Sequence, residues 1–530
     1  MESVPSLGIS IPTLAIFVVG YALCAVVGVV TTGALRRRRS AAAPFVVSTR
    51  SPAAPVHTSW PTTPWIPPAG ASQQGLGTSR SHVCSSASHF RCEAAIPGSG
   101  RSVCRCGRHW AGTRQPCPCV TERTMGDIMT EPVAQLPTAG ELVFDTFDRI
   151  RRRGPIVPIE LPGNVVAWFA VSHKAVSEIL AGDGTVLSKN PRNCPALQDG
   201  TIPADWPLRA LTDIDHMINM DGEDHRRLRR TISQAFTPRR VAALEPRIQQ
   251  IATELLDDIP DHKAEINLVS SYTTPLPVRV IGELFGVPAS EQQQFRIWAS
   301  TVMSHLSTGD EIQAAMADML GYLAELLGRK RRTPGDDLTS ALLEANEANG
   351  LTDDELVNML WLVLMAGHET TVHLLGNAVV TLCTHPEQLA KAQAEDRWKD
   401  VVEEMLRFRS SVAAILPTRY ALQDITIAGV DIPAGAMVGW YGGVGRDPER
   451  YPDAGTFDID RDHRDQLAFG RGPHVCLGAH LARLESHIAL STLFSRFPRL
   501  RLAGDPNQFY GPNFITCGPL ALPVLLEPSA

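Results

Sequence analysis

Apolar residues recur every three or four positions over most of the chain beyond residue 140. This spacing predicts helices over 141–153 and 173–181, and almost continuous helical structure over 224–408. Thr352 and Thr384 are each followed three residues later by a glutamate, which is the pattern of a capping box. We therefore expect a helix to begin at each of these two positions.

Short apolar runs with alternating or β-branched residues predict a smaller β portion. The predicted strands are 155–161, 165–171, several short ones within 425–438, and 520–526. A turn at 162–164 joins the first two, and 190–219, with little periodicity and several prolines, is expected to be a long loop. Strands and helices do not alternate, and neither a G-x-G-x-x-G nor a Walker A motif occurs. The expected fold class is mainly α with a small β portion.

The composition changes near Met125. No aspartate and no lysine occurs before it, and 36–124 is rich in Arg, Ser, Pro, Ala and Gly. We therefore expect a non-globular extension over 1–124 and a single large globular domain over 125–530. The chain of 530 residues has a net charge of −7, which gives no reason to expect nucleic acid as a partner.

The extension begins with an uncharged apolar run. Residues 11–35 are long enough to form a transmembrane helix, and four arginines follow at 36–39. By the positive-inside rule, the arginines and everything after them would face the cytoplasm. An alternative stays open: Met125 or Met129 would serve as the start of the globular chain, and the upstream segment would then come from a wrongly chosen start. Membrane attachment is expected only if 1–124 is genuine, and the globular domain is expected in the cytoplasm.

Six of the eleven cysteines lie within 36–124. Cys104 and Cys106 form one close pair, and Cys117 and Cys119 another. Their C-x-C spacing is a weak match to a structural zinc site, and disulfides would need an oxidising compartment. We expect no chemistry from these residues.

Cys476 stands apart from the other cysteines because of its neighbours. It lies in the segment Phe469-Gly-Arg-Gly-Pro-His-Val-Cys-Leu-Gly478, and a helix is expected to start directly afterwards, near His480. Three glycines and a proline suit a tight backbone loop pressed against something flat. Backbone N–H donors at the amino end of a helix are expected to lower the pKa of the thiol. A lone buried cysteine is more often an inert packing residue, so the surrounding pattern carries the inference.

The whole segment resembles the haem-binding loop of the cytochrome P-450 family, F-G-x-G-x-H-x-C-x-G, at every specified position. The resemblance implies that Cys476 is the thiolate ligand of a haem iron and that His474 contacts a haem propionate. It also counts Phe469, Gly470 and Gly478 among the cofactor-binding residues. The expected cofactor is haem b, and the expected fold of the globular domain is that of the cytochrome P-450 family.

A second segment, A-G-H-E-T-T from Ala366, resembles the oxygen-binding signature of the family. By that resemblance Ala366 and Gly367 lie against the cofactor, and Gly367 opens the helix to admit dioxygen. Glu369 and Thr370 would relay protons, while His368 would be a non-catalytic neighbour. Polar groups inside an apolar helix are costly unless they are paired. A structural alternative makes Gly367 a packing gap and lets Thr370 bond back to the preceding turn.

Basic residues supply the other expected cofactor contacts. His225 and Arg229 resemble the H-x-x-x-R pair that binds one haem propionate in this family, and Arg419 fits the remaining propionate ligand. Further bases on the same segment are expected to receive an acidic ferredoxin by charge steering. They are Arg226, Arg227, Arg230, Arg239 and Arg240.

Glu404 and Arg407 match the E-x-x-R pair of the family, which has a structural role. Three residues apart on a helix, they would ordinarily form only a weak surface pair. The resemblance implies a third member before the cysteine segment, for which Arg461 is the candidate. Gly445 is a departure, because relatives often carry asparagine there.

The implied activity is that of a monooxygenase of the bacterial, ferredoxin-dependent type found in secondary metabolism. It would combine R–H, dioxygen, two electrons and two protons to give R–OH and water. Electrons would come from a separate ferredoxin and its NAD(P)H-dependent reductase. The substrate is expected to be a hydrophobic molecule of moderate size, because the segments expected to line the pocket are largely small and aliphatic. The loop 190–219 resembles that of actinobacterial members acting on macrolides or steroids.

Two other functions stay open. A peroxide-using relative would need no redox partners, but such members usually lack the acid–alcohol pair represented here by Glu369 and Thr370. A haem-binding sensor or carrier without turnover would have no need of a proton relay. The chain is expected to be a monomer.

Overall fold

The computed structural model describes residues 134–135, 143–206, 208–212, 216–259, 265–303, 307–511 and 515–526. The predicted membrane helix at 11–35, the upstream cysteine pairs and the composition change at Met125 lie outside these residues. Among the helices of the described ranges, none combines the length and the apolar character that a membrane span requires.

Helices make up most of the described chain, as the periodicity predicted. They are α1 (Val143–Arg151), α2 (His173–Gly182), α3 (Pro195–Gln198), α4 (Arg209–Thr212), α5 (Gly222–Ala235), α6 (Pro238–Ala243), α7 (Glu245–Asp257), α8 (Pro275–Phe285), α9 (Gln292–Met303), α10 (Gly309–Arg332), α11 (Leu338–Asn346), α12 (Asp353–Thr384), α13 (Pro386–Glu395), α14 (Trp398–Phe408) and α15 (Ala479–Arg496). Short 3-10 turns lie between them, and 269–273 forms one π-helical turn before α8.

The strands form three small sheets. They are β1 (Ala134–Gln135), β2 (Ile156–Leu161), β3 (Val165–Ala170), β4 (Leu187–Ser188), β5 (Glu265–Asn267), β6 (Ala414–Ala421), β7 (Ile425–Ile427), β8 (Val430–Ile432), β9 (Met437–Tyr441), β10 (Arg501–Leu502) and β11 (Pro523–Leu525). The largest sheet has the order β1-β2-β3-β9-β6-β4, the second is β10-β11-β5, and β7 pairs with β8. The predicted hairpin of β2 and β3 is confirmed, with Leu161 opposite Val165.

Strand β6 was missed by the sequence patterns. A proline at 417 interrupts its apolar pattern, and prolines are unusual inside a paired strand. The structure accommodates it through a shift of register against β9 between Ile415 and Arg419. This irregular strand carries Arg419 into the interior of the protein, so its position matters for the site described below.

The two predicted capping boxes have different outcomes. At α12 the capping box is confirmed, because Thr352 Oγ1 accepts a hydrogen bond from the Glu355 backbone and the Glu355 carboxylate accepts one from the Thr352 backbone. At Thr384 the predicted helix start is confirmed, because α13 begins at Pro386, but the capping box does not form. Thr384 is the last residue of α12, its hydroxyl donates to the Val380 carbonyl at 3.0 Å, and the next helix begins with Pro386. A proline at the first helical position needs no capping partner for its nitrogen.

Segment 190–219, predicted as a long loop, contains several short helical turns. Its backbone turns at 191–193 and 217–219, and α3 and α4 each span one turn. Trp206 anchors it to the β2–β3 hairpin, because the indole N–H donates to the Pro162 carbonyl at 2.7 Å. The segment is therefore pinned to the rest of the fold at its middle.

Two apolar clusters form the core. One lies among the helices around α12 and α15, and the other lies between the largest sheet and helices α1 and α2. Helix α15 packs against α7, α12 and α14 through buried residues such as Leu481, Ile488 and Leu493. Because α15 begins directly after Cys476, the packing of this helix determines where the cysteine lies.

A buried ion pair connects α14 to the segment that precedes the cysteine. Arg407 donates from Nε and Nη2 to the Glu404 carboxylate at 2.7 and 2.6 Å, and neither side chain is accessible to solvent. The other N–H groups of Arg407 donate to the carbonyls of Gly445, Ala454 and Thr456 at 2.7, 2.9 and 2.9 Å. One guanidinium therefore fixes three points of the 445–456 segment.

The expected third member of this pair, Arg461, lies at ion-pair distance from it. Its Nε is 3.5 Å from Glu404 Oε1, and its two Nη atoms donate to the carbonyls of Pro452 and Asp453. A closer partner was missed by the sequence: His463 Nε2 lies 3.0 Å from Glu404 Oε2. Together with Arg407, these contacts satisfy both carboxylate oxygens.

Gly445, the departure from the family pattern, has a packing reason. A Cβ atom added at this position would lie 2.3 Å from the Arg407 carbonyl oxygen. The Gly445 carbonyl also accepts a hydrogen bond from Arg407. A side chain here would push the segment away from the buried ion pair.

We predict that Glu404→Gln lowers the free energy of unfolding by about 3–5 kcal/mol, because it leaves a buried guanidinium without its charge partner. Urea-induced unfolding followed by tryptophan fluorescence would measure the change. Glu395→Gln is the control, since Glu395 makes only an exposed pair with Arg397 at 3.4 Å and should change stability by about 0–1 kcal/mol. Equal changes in the two variants would contradict the structural role of the buried pair.

Candidate active site

The backbone around Cys476 forms a tight loop, here called the cysteine loop (469–478). The Cys476 N–H donates to the Phe469 carbonyl at 2.9 Å, which closes the loop on itself. Gly470 and Gly472 have φ angles of +68° and +78°, which residues with a Cβ atom rarely adopt. A Cβ atom added at Gly472 would also lie 3.2 Å from the Leu180 carbonyl oxygen at the end of α2. The glycines predicted to shape the loop are therefore required by its conformation.

Cys476 is an exposed residue that is not in a disulfide, although the surrounding loop largely encloses its sulfur. Burial of the surrounding loop raises the pKa of the Cys476 thiol, while the N–H groups of Gly478 and Ala479 and the charges of Arg229 and Arg483 lower it. The net direction is upward, so the predicted lowering of this pKa is wrong for the protein alone. The donors at the start of α15 are present as predicted, but the cost of burying a thiolate outweighs them. A metal cation bound to the sulfur would stabilise the thiolate and lower the pKa of Cys476.

Basic side chains from four separate segments meet beside the cysteine loop. The imidazole rings of His225 and His474 have their centroids 4.2 Å apart, and Arg229 donates to the Val475 carbonyl at 2.9 Å. Arg419 reaches the same region from β6, and Lys189 reaches it from the end of β4. These five residues are called the cationic cluster below.

Arg419 is held by a carboxylate that the sequence did not indicate. Its Nε and Nη2 atoms donate to the two oxygens of Asp183 at 2.7 Å each, in a fully buried bidentate pair. The remaining nitrogen, Nη1, is buried without a hydrogen-bond partner among the described residues, and so is His225 Nε2. Buried donors of this kind are costly unless something accepts from them.

The positive charges of the cluster act on one another. Burial and the charges of Lys189, His225, Arg419 and Arg229 lower the pKa of His474 to about 2. Burial and Arg229 likewise lower the pKa of His225. The region therefore favours a negatively charged group with several oxygen acceptors. The two carboxylates of a porphyrin have this chemistry, and a neighbouring thiol is a ligand for its iron.

Helix α12 carries the second predicted group of site residues. Its hydrogen-bonded backbone continues through Ala366 and Gly367, and Thr370 Oγ1 donates to the Ala366 carbonyl at 2.7 Å. Glu369 is buried, and its Oε1 accepts from Thr516 Oγ1 at 3.1 Å. The structure thus contains the back-bond that was the structural alternative for Thr370.

The packing alternative for Gly367 is not supported. A Cβ atom added there would lie 3.4 Å from Ile281 Cδ1, which is an ordinary van der Waals contact, so the approach of α8 to α12 does not require a glycine. Phe469 and Leu477 of the cysteine loop and Met365 of α12 pack against the same apolar cluster. The role of Gly367 in admitting dioxygen stays a prediction.

Comparison with known proteins agrees with this geometry. The sequence profile of the family described as Cytochrome P450 matches residues 277–516. The vitamin D(3) 25-hydroxylase of Pseudonocardia autotrophica is 40% identical over 389 residues, which is 72% of this chain and 93% of that protein. The cytochrome P450 monooxygenase PikC of Streptomyces venezuelae is 36% identical over 411 residues, 75% of this chain and 95% of PikC.

This chain belongs to the cytochrome P450 family. A solved structure, testosterone-bound CYP154C4 from Streptomyces sp. ATCC 11861, superimposes with a TM-score of 0.69 at 36% identity and covers 75% of this chain and 99% of that one. The predicted mainly helical P450 fold and the actinobacterial type are confirmed. The protein is a P450 monooxygenase, an oxidoreductase of a family whose cofactor is a thiolate-ligated haem.

Several residues of this P450 site were not found from the sequence. Asp183 orients Arg419, and Lys189 contributes a buried cation. Arg483 of α15 lies 4.5 Å over the Phe469 ring and pairs with Glu403. None belongs to a motif with a recognisable spacing, because their partners are distant along the chain.

Substituting Gly472 tests whether the loop conformation is required. We predict that Gly472→Ala lowers the free energy of unfolding by about 1–2 kcal/mol, because it places a Cβ atom on a left-handed backbone. Gly321→Ala is the control, since Gly321 lies within α10 and an added Cβ would have no atom within 4 Å. That helical substitution should raise the free energy of unfolding by about 0.5–1 kcal/mol. Chemical denaturation measures both, and an unchanged Gly472→Ala variant would contradict the strained loop.

Proposed function

We propose that this P450 inserts one oxygen atom of dioxygen into a hydrophobic organic molecule, by hydroxylation or epoxidation, with electrons from a separate ferredoxin and reductase. The observation that carries the proposal is the free thiol of Cys476 at the amino end of α15, beside a cationic cluster with unpaired donors. Haem b satisfies both features, because it brings an iron for the sulfur and two carboxylates for the cations.

The residues that would hold the haem follow from these contacts. Cys476 would supply the sulfur ligand of the haem iron, with Phe469, Gly470 and Gly478 shaping the loop. At Gly478 an added Cβ would meet no atom within 4 Å, which leaves open space above the start of α15. His225, Arg229, Arg419 and His474 would donate to the haem carboxylates, and Ala366 and Gly367 would contact the cofactor from α12.

The reaction needs protons as well as electrons. When bound, a thiolate-ligated haem activates dioxygen, so that one oxygen atom enters the substrate and the other leaves as water. The protein would supply the protons through Glu369 and Thr370. The hydroxyl of Thr370 donates to the Ala366 carbonyl, which leaves its lone pairs able to accept a proton donor. Glu369 is held by Thr516 and is the nearest residue in sequence able to exchange a proton.

We propose that the surface near Cys476 receives an acidic ferredoxin, although only two of the five expected arginines are free of ion pairs to described residues. Arg227 pairs with Glu355, Arg240 with Asp336 and Arg226 with Glu223, so these three have partners of their own. Three other arginines are exposed without an ion pair to any described residue: Arg230, Arg239 and Arg471. We propose that these exposed arginines attract the partner, because unpaired charge gives the stronger long-range field.

The substrate is proposed to be a hydrophobic polycyclic or macrocyclic molecule of about steroid size. One relative is named for vitamin D(3) hydroxylation, and one structural neighbour holds testosterone. Another relative, from Micromonospora griseorubida, is named as a mycinamicin IV hydroxylase/epoxidase. Testosterone and vitamin D(3) are therefore suitable first probes. A monomeric state, a cytoplasmic location and the domain boundary at 125 stay predictions.

We predict that product forms with NADPH, a surrogate ferredoxin and its reductase, and that hydrogen peroxide alone supports little turnover. Mass spectrometry of reactions with the two probe molecules would detect a gain of one oxygen atom. Faster turnover with peroxide alone would favour the peroxygenase alternative. Haem binding without turnover under either condition, for any hydrophobic probe that binds, would favour a sensor or carrier.

The proton relay generates a separate prediction. Thr370→Ala should keep consuming NADPH but lose product formation about tenfold or more, because oxygen activation then releases hydrogen peroxide. Thr371→Ala is a matched control: its hydroxyl donates to the Gly367 carbonyl at 3.0 Å in the same way, but its side chain is buried. The measurement is the ratio of hydrogen peroxide to product per NADPH. Equal ratios in both variants would contradict a role for Thr370.

A further inference from the structure

One member of the cationic cluster, Lys189, belongs to none of the motifs on which the proposed function rests. Its side chain is 3% exposed. Its Nζ donates to Thr418 Oγ1 at 2.7 Å, and no ion pair joins it to a described carboxylate. A lysine ammonium has three donors, and burying it against one neutral hydroxyl leaves its charge poorly compensated. Buried lysines are rare unless they are paired.

The backbone of Lys189 is held in place by Asp221. The Asp221 carboxylate accepts from the N–H groups of Lys189, at 2.8 Å, and Asn190, at 3.2 Å, and from the Ser188 hydroxyl. Asp221 immediately precedes α5, the helix that carries His225 and Arg229. It therefore joins the two ends of the 190–219 segment, and its oxygens are occupied by these contacts.

The side chain of Lys189 extends from this junction toward β6. Its hydrogen-bond acceptor among the described residues, Thr418, is adjacent to Arg419, whose Nη1 has no partner in the same part of the chain. Arg419 and Asp183 both act on Lys189 by charge, so its ammonium lies near that buried ion pair. A buried ammonium with one neutral hydrogen-bond partner and a guanidinium nitrogen with none thus belong to neighbouring positions, on the side where the haem carboxylates are proposed to bind.

We propose that Lys189 is a further ligand of a haem carboxylate, acting with Arg419, and that it ties the junction of the 190–219 segment to the cofactor. The inference rests on the proposed haem binding, but it concerns a residue outside the family motifs. Arg419 contributes a permanent charge, and Lys189 contributes a charge that can be lost.

The surroundings of Lys189 make its contribution dependent on pH. Burial and the charge of Arg419 lower the pKa of Lys189 well below its usual range, and Asp183 and Asp221 offset this only in part. A carboxylate bound at Nζ would raise this pKa again. The contribution of Lys189 to haem retention is then complete at pH values below the pKa that Lys189 has in the haem-free protein. This contribution is lost as the pH rises through the pKa that Lys189 has in the haem-bound protein.

The test is the rate at which the haem-loaded protein releases haem to an excess of apomyoglobin. Lys189→Met should release haem about tenfold faster or more at neutral pH, since it removes a charge-assisted hydrogen bond. Lys189→Arg keeps a charge that does not titrate, so it should restore slow release and make the rate less sensitive to alkaline pH. Lys174→Met, an exposed lysine on α2, should match the unsubstituted protein.

The outcomes distinguish this inference from the proposed function. If the unsubstituted protein has a thiolate-ligated haem but Lys189→Met releases it no faster than Lys174→Met, the role of Lys189 is overturned. Equally fast haem release from Lys189→Met and Lys189→Arg would show that Lys189 acts through its packing and not through its charge. That result would also overturn the inference. If the unsubstituted protein binds no haem, both the inference and the proposed function fail. Thermal unfolding of each variant confirms that the compared proteins are folded.

Discussion

Buried positive charge needs a negative partner, and this requirement governs the region beside Cys476. Lys189, Arg229 and Arg419 converge there with two histidines, while the facing carboxylates, Asp183 and Asp221, are already engaged. A fold that keeps such a cluster is stabilised when an anion with several acceptor oxygens enters it. The cysteine loop, the helix behind it and the irregular strand β6 all serve to bring these donors to one place.

The cysteine loop is held in position by residues outside the cationic cluster. The Glu404–Arg407 pair is fully buried and fixes the segment that leads into the cysteine loop. Helix α15 is held by apolar packing on three sides, and Gly472 lets the loop approach the end of α2. These contacts fix the backbone around Cys476. A metal ligand needs such a fixed position, because a displaced sulfur could not stay within bonding distance of the iron.

Most of the fold was predictable because its signals are local. Long helices such as α12 repeat an apolar spacing over many residues, and the glycines around Cys476 constrain a loop within ten residues of sequence. The failures have local causes as well. The capping pattern at Thr384 lies where α12 ends and α13 begins, and its capping box does not form. The proline at 417 hid strand β6.

The unpredicted parts of the site depend on contacts between distant segments. Asp183 meets Arg419 across 236 residues, and Lys189 meets Thr418 across 229. No spacing rule connects such pairs, so a single sequence contains no sign of them. The same limit explains the pKa of Cys476: the helix amino end was visible in the sequence, whereas the opposing effect of burial was not.

The central claim is that Cys476 presents a thiolate to a haem iron, and the absorption spectrum of the reduced, carbon-monoxide-bound protein tests it most directly. The full chain should show the red-shifted band characteristic of thiolate-ligated haem, and Cys476→Ser should lose that band while retaining a folded protein. A spectrum typical of histidine-ligated haem in the unsubstituted protein, or no haem at all, would contradict the claim.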